Sequence, residues 1–437
     1  MREERQLNIL EQLVWAIAMV FVLLGAYGRS GGDPADSRLA TVYSLAHFGT
    51  FYIDRPPEED PNPFEQRTID KVMVKGERVG STVRNGRLIS SKPPMLPLLM
   101  TGEYLVLKAL LGRNLEDREQ VRTILLWMTI TLIGTAYLGT LVFFVKTLTL
   151  FIEERLSRLL LLVCLAFATQ LWGYSTLLNN HVPAACMVMV ALYFCLGVGS
   201  GKIGPAWWRF FLFGLASALA FTFDLPSTIF VAFAGLYLLV KFPRKTLIWA
   251  TAGAVAPLGI HFGILFAVTG TFAPVQLQDE VYLYEASYWR HPRGIDALNE
   301  PKGTYLFHMT FGRCGLFSLY PILLAGVASA LRALVRTKSP LRGYILTGAL
   351  AFIILTAYYA KATNNYGGEA YGFRWYIPAM PVLLLMGAPL FPALRKPWHK
   401  LFLCVLIAVS FYSAWECTRT GWAANRQWTC RFLGPSY

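Results

Sequence analysis

Apolar stretches long enough to cross a bilayer recur along almost the whole chain, and no other feature limits its fold so severely. They fall at 12–27, 121–145, 158–176, 182–199, 209–224, 225–240, 246–268, 314–332, 344–361, 375–392 and 400–416. Hydrocarbon offers no water to a backbone amide or carbonyl, so such stretches must satisfy themselves as helices. The alternating pattern of an outer-membrane barrel is absent. Hydrophobic residues make up 55% of the 437 and charged residues 15%, a balance that soluble domains rarely show. The expectation is an all-α polytopic membrane protein with about eleven transmembrane helices in a single membrane domain. No clear small-residue cleavage site follows the first stretch, so it reads as a membrane helix and not as a removed signal peptide.

The formal net charge of +14 would suggest nucleic acid in a soluble protein, but the basic residues have a simpler address here. With the N-terminus in the cytoplasm, the loops Lys146–Arg158, Ser200–Arg209, Lys241–Lys245, Arg332–Arg342 and Arg395–Lys400 all fall inside. Each carries two or more Lys or Arg, and their only acids are Glu153 and Glu154. That asymmetry is the positive-inside rule, reinforced by contact with anionic lipid. No nucleic-acid site is expected. The loops 29–118, 269–313 and 361–374 and the tail 417–437 then lie outside, with the C-terminus. Cys417 and Cys430 share that tail, where an oxidising compartment would permit a disulfide. No cysteine pair has zinc-like spacing.

The polar insert at 29–118 is the one block that departs from the membrane pattern, and it behaves as an outer-loop subdomain. At its start Leu39, Val42 and Leu45 recur at helical spacing with polar residues opposite. This predicts a short helix lying on the membrane surface, capped by Ser37 or Asp36. Weak alternation from Lys71 to Val83 predicts a small hairpin turned at Lys75-Gly76 or Asn85-Gly86. From Lys92 to Gly112 the chain is apolar, but Glu103 and Lys108 would make a crossing expensive. It reads as a second interfacial helix, because a crossing there would put every later basic loop outside. Pro93 and Pro94 suit its first turn, where a missing N–H costs nothing.

A membrane helix, an outer loop with an acidic start, two interfacial helices and then a helical bundle make a layout that resembles the GT-C glycosyltransferases. Two stretches carry the resemblance in residues. Pro34-Ala35-Asp36-Ser37-Arg38 stands where protein O-mannosyltransferases and lipid A aminoarabinose transferases begin their first outer loop with an acidic run. Lys92-Pro93-Pro94 matches their Lys-Pro-Pro segment. Ala35 replaces the first acid of the usual pair, and Ser91 stands where an acid often precedes the lysine. The resemblance implies transfer of a sugar from a polyprenyl-phosphate donor to a lipid, glycan or protein acceptor outside a bacterial cytoplasmic (inner) membrane. No cofactor is implied with certainty, and a divalent metal is left open.

The chemistry agrees with those residue types. Moving a sugar to a hydroxyl or amine needs a group to take the acceptor's proton, which a carboxylate does. It also needs cations where charge grows on the leaving phosphate. Asp36 is the expected acceptor-activating group, with Asp33 as a second acid. Lys92, Arg38, Arg313 and Arg374 are the expected phosphate contacts, the two later arginines each lying at a helix mouth. Tyr288, Trp289, His308, Glu369 and Tyr371 in the later outer loops are expected to shape the substrate pocket. A helix cap, a surface ion pair or an aromatic anchor belt would explain the same residues structurally. Asn180-His181 and Asp224 point outward as well, though single polar residues at helix ends are more often caps. A secondary transporter or lipid flippase is the alternative, and it would place ionisable or broken-helix sites at mid-membrane. A non-catalytic assembly factor would need no convergent acid and cations. Phosphate-loop, zinc-helix and nucleophile-elbow motifs are missing.

Overall fold

A computed structural model describes residues 2–26, 33–56, 60–80, 82–336 and 341–435, with Asp33 and Pro34 in backbone only. The chain is mostly helical. Six helices are long and apolar enough to cross a membrane: Glu4–Gly25, Arg118–Phe151, His181–Gly199, Pro243–Thr269, Arg342–Ala362 and Pro397–Thr420. Trp207–Phe223, Leu225–Lys241, Pro321–Val335 and Ala379–Ala393 are shorter apolar helices among them. Leu13, Ile17 and Val20 on the first helix, and Val255, Ile353 and Leu401 on later ones, present exposed apolar side chains outward. Such all-round apolarity on exposed faces marks a membrane protein.

Inside the bundle, small residues allow the helices to approach closely. A Cβ at Gly214 would lie 1.9 Å from the Ala250 carbonyl oxygen, and one at Gly253 would lie 2.0 Å from that of Phe211. Trp207–Phe223 and Thr251–Thr269 therefore cross with backbones nearly touching. Glycine at both positions is a packing requirement.

Helix α1 (Arg2–Gly25) leads into the insert, which begins with helix α2 (Asp33–Phe48). Contrary to the surface position expected for it, α2 is buried on most sides. Leu39, Ala40 and Val42 have no exposed surface, and neither does Ser37. The reason is that the following loop folds over the polar face. Asn62 Nδ2 donates to the Ala40 carbonyl at 2.8 Å and to Ser44 Oγ at 3.0 Å. Asp36 and Ser37 lie within the helix and do not cap it.

Strands β1 (Lys71–Val74), β2 (Glu77–Val79), β3 (Thr82–Arg84) and β4 (Arg87–Ser90) form one long antiparallel hairpin, β1 with β4 and β2 with β3. Neither Lys75-Gly76 nor Asn85-Gly86 turns it. Both Lys75 (φ 55°) and Asn85 (φ 56°) are left-handed, and the two glycines face each other across the ladder. A Cβ on Gly76 would meet the Arg84 carbonyl oxygen at 2.5 Å. The paired kinks bend the hairpin midway. Its Val72, Val74 and Ile89 face packs over Leu265, Val275 and Val281 as a small second core. Helix α3 (Met95–Leu111) follows and ends on left-handed Gly112. No disulfide joins Cys417 and Cys430.

A candidate anion site at the root of the hairpin

A closed hairpin makes neighbours of the residues that flank its base. Lys71 pairs with Ser90, and the Ser91 amide donates to the Asp70 carbonyl at 3.0 Å. Lys92, one residue further, swings back so that its Nζ lies 2.8 Å from Asp70 Oδ2. Helix α2 clamps this root from below. Ser37 Oγ donates to the Asp70 carbonyl at 2.6 Å and shares a 2.6 Å hydrogen bond with the Ser90 hydroxyl. The loop 269–313 clamps it from the other side. Gln276 Nε2 donates to the Ser91 carbonyl at 2.6 Å, and Trp289 Nε1 to that of Ile69 at 3.0 Å.

Two further cations face this pair. Arg38, next to the clamping serine on α2, is 2% exposed and donates to Asn180 Oδ1 at 2.7 Å. Asn180 is itself held by its donation to the Phe223 carbonyl at 2.9 Å. Beside it, His181 Nδ1 lies 3.2 Å from Asp224 Oδ2, both side chains buried. Arg374 comes from the glycine-rich loop after Ala362. Its Cγ would lie 3.2 Å from a Cβ at Gly367, so the glycine leaves room for the arginine stem. Its guanidinium lies 5.0 Å from the Trp422 ring, and no carboxylate pairs with it among the described residues.

Burial pulls the Arg38 guanidinium down to about 10, against the attraction of Asp70, and Arg374 adds to the fall. Lys92 is lowered for the same first reason, with Arg374 and Arg38 pushing the same way and Asp70 opposing them. Burial would raise the Asp70 carboxyl, yet Lys92, Arg374 and Arg38 together hold it below its ordinary value. Three cations, Lys92, Arg374 and Arg38, thus act on Asp70, while a second buried carboxylate, Asp224, stands beside His181. Withdrawing cations from water costs several kcal/mol each unless an anion answers them.

A groove leads away from Lys92 between the start of α3 and the end of Thr251–Thr269. Its lining mixes Thr41, Ser90, Lys92, His261, Thr269 and Gln276 with the apolar Phe51, Pro97, Ile264, Leu265 and Val268.

Of the residues singled out from sequence, Arg38, Lys92 and Arg374 come together. Trp289 touches the root of the cluster, and Tyr288 stands beside it, its ring centroid 5.4 Å from that of Trp289. Asp36 points elsewhere, with Oδ1 3.4 Å from an Arg67 nitrogen. The side chain of Asp33 lies outside the described residues. Arg313 belongs to a separate cluster, where Glu300 Oε1 lies 2.6 Å from it and the Pro435 carbonyl accepts at 3.0 Å. His308 supports that cluster by accepting the Arg313 amide at 3.3 Å. Glu369 accepts from the Ala424 amide at 3.1 Å, and the Tyr371 hydroxyl donates to Glu416 at 2.8 Å, so both serve the C-terminal tail. Asp70 was not marked out by its local sequence; only the register of the hairpin reveals it. For the open question of a metal, no group of three or more His, Cys, Asp or Glu side chains is placed to hold one among the described residues.

Neither a protein-family model nor a curated protein matches the chain.

Proposed function

We propose that this protein is a glycosyltransferase of the GT-C type, taking a sugar from a polyprenyl-phosphate donor on the outer side of a bacterial cytoplasmic membrane. The observation that carries this reading is the meeting of Lys92, Arg374 and Arg38 about Asp70, with Lys92 lining a pocket that has several apolar side chains. A phosphate on a long hydrocarbon tail has that same division between a charged head and an apolar body. In this reading Lys92, Arg374 and Arg38 hold the donor phosphate and stabilise the charge it gains as the glycosidic bond breaks. The tail lies along Pro97, Leu265 and Val268.

The placing of the basic loops on the same side as the N-terminus, in an arrangement of about eleven spans, has support from two contacts. Arg155 lies 3.0 Å from Glu11 near the start of α1, which joins the first basic loop to the N-terminus. Lys245 Nζ donates to the Pro205 carbonyl at 2.6 Å, which joins two further basic loops. Asp36, the carboxylate that the resemblance offers for the acceptor's proton, is engaged by Arg67 and so acts here as a positioning group for α2.

The test uses the purified full-length protein in lipid nanodiscs. Undecaprenyl phosphate should bind, and a panel of polyprenyl-phosphate hexoses and pentoses should include one that is cleaved. Lys92→Ala should weaken binding by about ten- to a hundred-fold, the worth of a charged hydrogen bond. Binding that ignores both Lys92 and Arg374 would overturn the reading. A flippase would bind the same lipid and leave every glycosidic bond intact.

A further inference from the structure

The acceptor's proton needs a carboxylate that is not already neutralised by a cation, and one stands at the outer rim of the cluster. Asp296 sits in the short turn Gly294–Ala297 of the second outer loop, half-buried. Its Oδ2 accepts from the Tyr288 hydroxyl at 3.2 Å and its Oδ1 from Asn365 Nδ2 at 2.6 Å. Both donors are neutral, and no Lys or Arg pairs with Asp296 among the described residues. It is near enough to the anion site to feel the charges of Asp70 and Arg374. Three segments fix that position. Trp289, beside Tyr288, bonds the residue before Asp70, and Asn365 starts the glycine-rich loop that carries Arg374. The Tyr288 ring, whose hydroxyl reaches the carboxylate, meets the Trp289 ring edge to face at 5.4 Å, the kind of aromatic surface that sugars stack on.

We propose that Asp296 is the general base that takes the proton from the acceptor, an assignment that rests on the glycosyl-transfer reading above. The acceptor's hydroxyl or amine attacks the anomeric carbon. The bond from that carbon to the phosphate oxygen breaks, and the polyprenyl phosphate leaves with the electron pair into the cations. The acceptor's proton passes to an Asp296 oxygen and from there to solvent. Tyr288 and Asn365 are positioning residues, each holding one of the two Asp296 oxygens.

Burial raises the Asp296 carboxyl above its ordinary range; the Asn365 and Tyr288 hydrogen bonds oppose that rise, Asp70 adds to it and Arg374 lowers it. A base must be deprotonated, so the rate falls as pH drops through its pKa, and here the fall begins above the ordinary carboxylate range. Removing a donor that favours the charged form moves the fall to still higher pH.

The experiment measures cleavage of the polyprenyl-phosphate sugar panel and binding of undecaprenyl phosphate for the full-length protein and its variants. Asp296→Asn should lower cleavage by about a hundred- to ten-thousand-fold, the usual share of general base catalysis, with undecaprenyl phosphate bound as before. Tyr288→Phe and Asn365→Ala should each shift the acid side of the rate profile upward. A packing role alone would lower the rate and leave the profile in place, so an unmoved profile in both variants overturns the assignment. Wild-type cleavage by Asp296→Asn, with cleavage lost in Lys92→Ala, overturns it also and leaves the transferase reading standing. A wild-type protein that neither binds undecaprenyl phosphate nor cleaves any sugar of the panel removes both. Should Asp296→Asn fail to fold, the Tyr288 and Asn365 profiles decide the matter.

Discussion

Two arginines at the same end of the bundle look alike in sequence, each at a helix mouth beside a glycine, and the structure gives them opposite surroundings. Arg313 is answered on the spot: Glu300 lies 2.6 Å away, the Pro435 carbonyl accepts at 3.0 Å, and the Tyr366 hydroxyl donates to the second Glu300 oxygen. Arg374 has a Trp422 face and a glycine cradle, and it shares the single Asp70 carboxylate with Lys92 and Arg38. A charge-matched cluster holds the fold together and has little left to offer a ligand. A cluster with cations in excess is unfavourable while empty and becomes favourable when an anion arrives.

Breaking the matched cluster should produce the largest effect. Glu300→Ala leaves Arg313 largely buried without its carboxylate, which should lower stability by about 3–5 kcal/mol. Thermal unfolding in nanodiscs measures it, and the fraction that stays folded should still bind undecaprenyl phosphate. A mutant with the wild-type melting point would show that the Arg313 cluster is not structural. In the other cluster the balance of effects reverses. Arg374→Met should raise the Kd for undecaprenyl phosphate by about ten- to a hundred-fold with the melting point held or raised, because a half-buried cation that repels Lys92 and Arg38 has gone. Loss of stability without loss of affinity would erase the distinction.

A smaller effect should come from the glycine that cradles Arg374. Gly367 has φ 89°, a left-handed conformation that side chains resist, and a Cβ there would press on the Arg374 stem at 3.2 Å. Gly367→Ala should cost about 1–3 kcal/mol of stability from backbone strain. It should also weaken undecaprenyl phosphate binding several-fold by displacing the guanidinium. Titration of the lipid against the variant measures the second part. Unchanged affinity would mean that Arg374 does not depend on the cradle.

How much of this was legible beforehand follows from what is local. The apolar stretches reported helices because length and hydropathy are properties of a segment, and the borders of the insert followed. The pairing of Lys92 was not local. Lys92-Pro93-Pro94 could be marked as a phosphate contact, but its partner Asp70 depends on the register of a hairpin whose alternation is weak and twice kinked at Gly76 and Gly86. The surface helix expected at Asp36–His47 is buried because Asn62, an unremarkable loop residue, closes over Ala40 and Ser44. Arg313 and Arg374 could not be told apart, since Pro435 and Trp422 reach them from the far end of the chain. Asp296 sits in a loop with no periodic pattern, and only its donors Tyr288 and Asn365 single it out.

The smallest expected effect is also the one that tests the charge argument most directly, because it changes protonation and leaves the packing alone. Burial lowers the Lys92 ammonium below the ordinary lysine range, with Arg374 and Arg38 adding to the fall and Asp70 opposing it. The empty site therefore gives up its Lys92 proton at a lower pH than a free lysine would. Above that pH a phosphate must recruit the proton before it can bind, so affinity for undecaprenyl phosphate falls as pH rises. Asp70→Asn removes the one influence that holds the proton on, and the alkaline fall should begin earlier. Lys92→Arg should postpone it, up to the limit set by Arg38 at about 10. Binding isotherms across the alkaline range should then order the three proteins as Asp70→Asn, wild type, Lys92→Arg. A common profile for all three would mean that the ammonium at Lys92 never meets the phosphate, and the contrast between the two clusters would then rest on Arg374 alone.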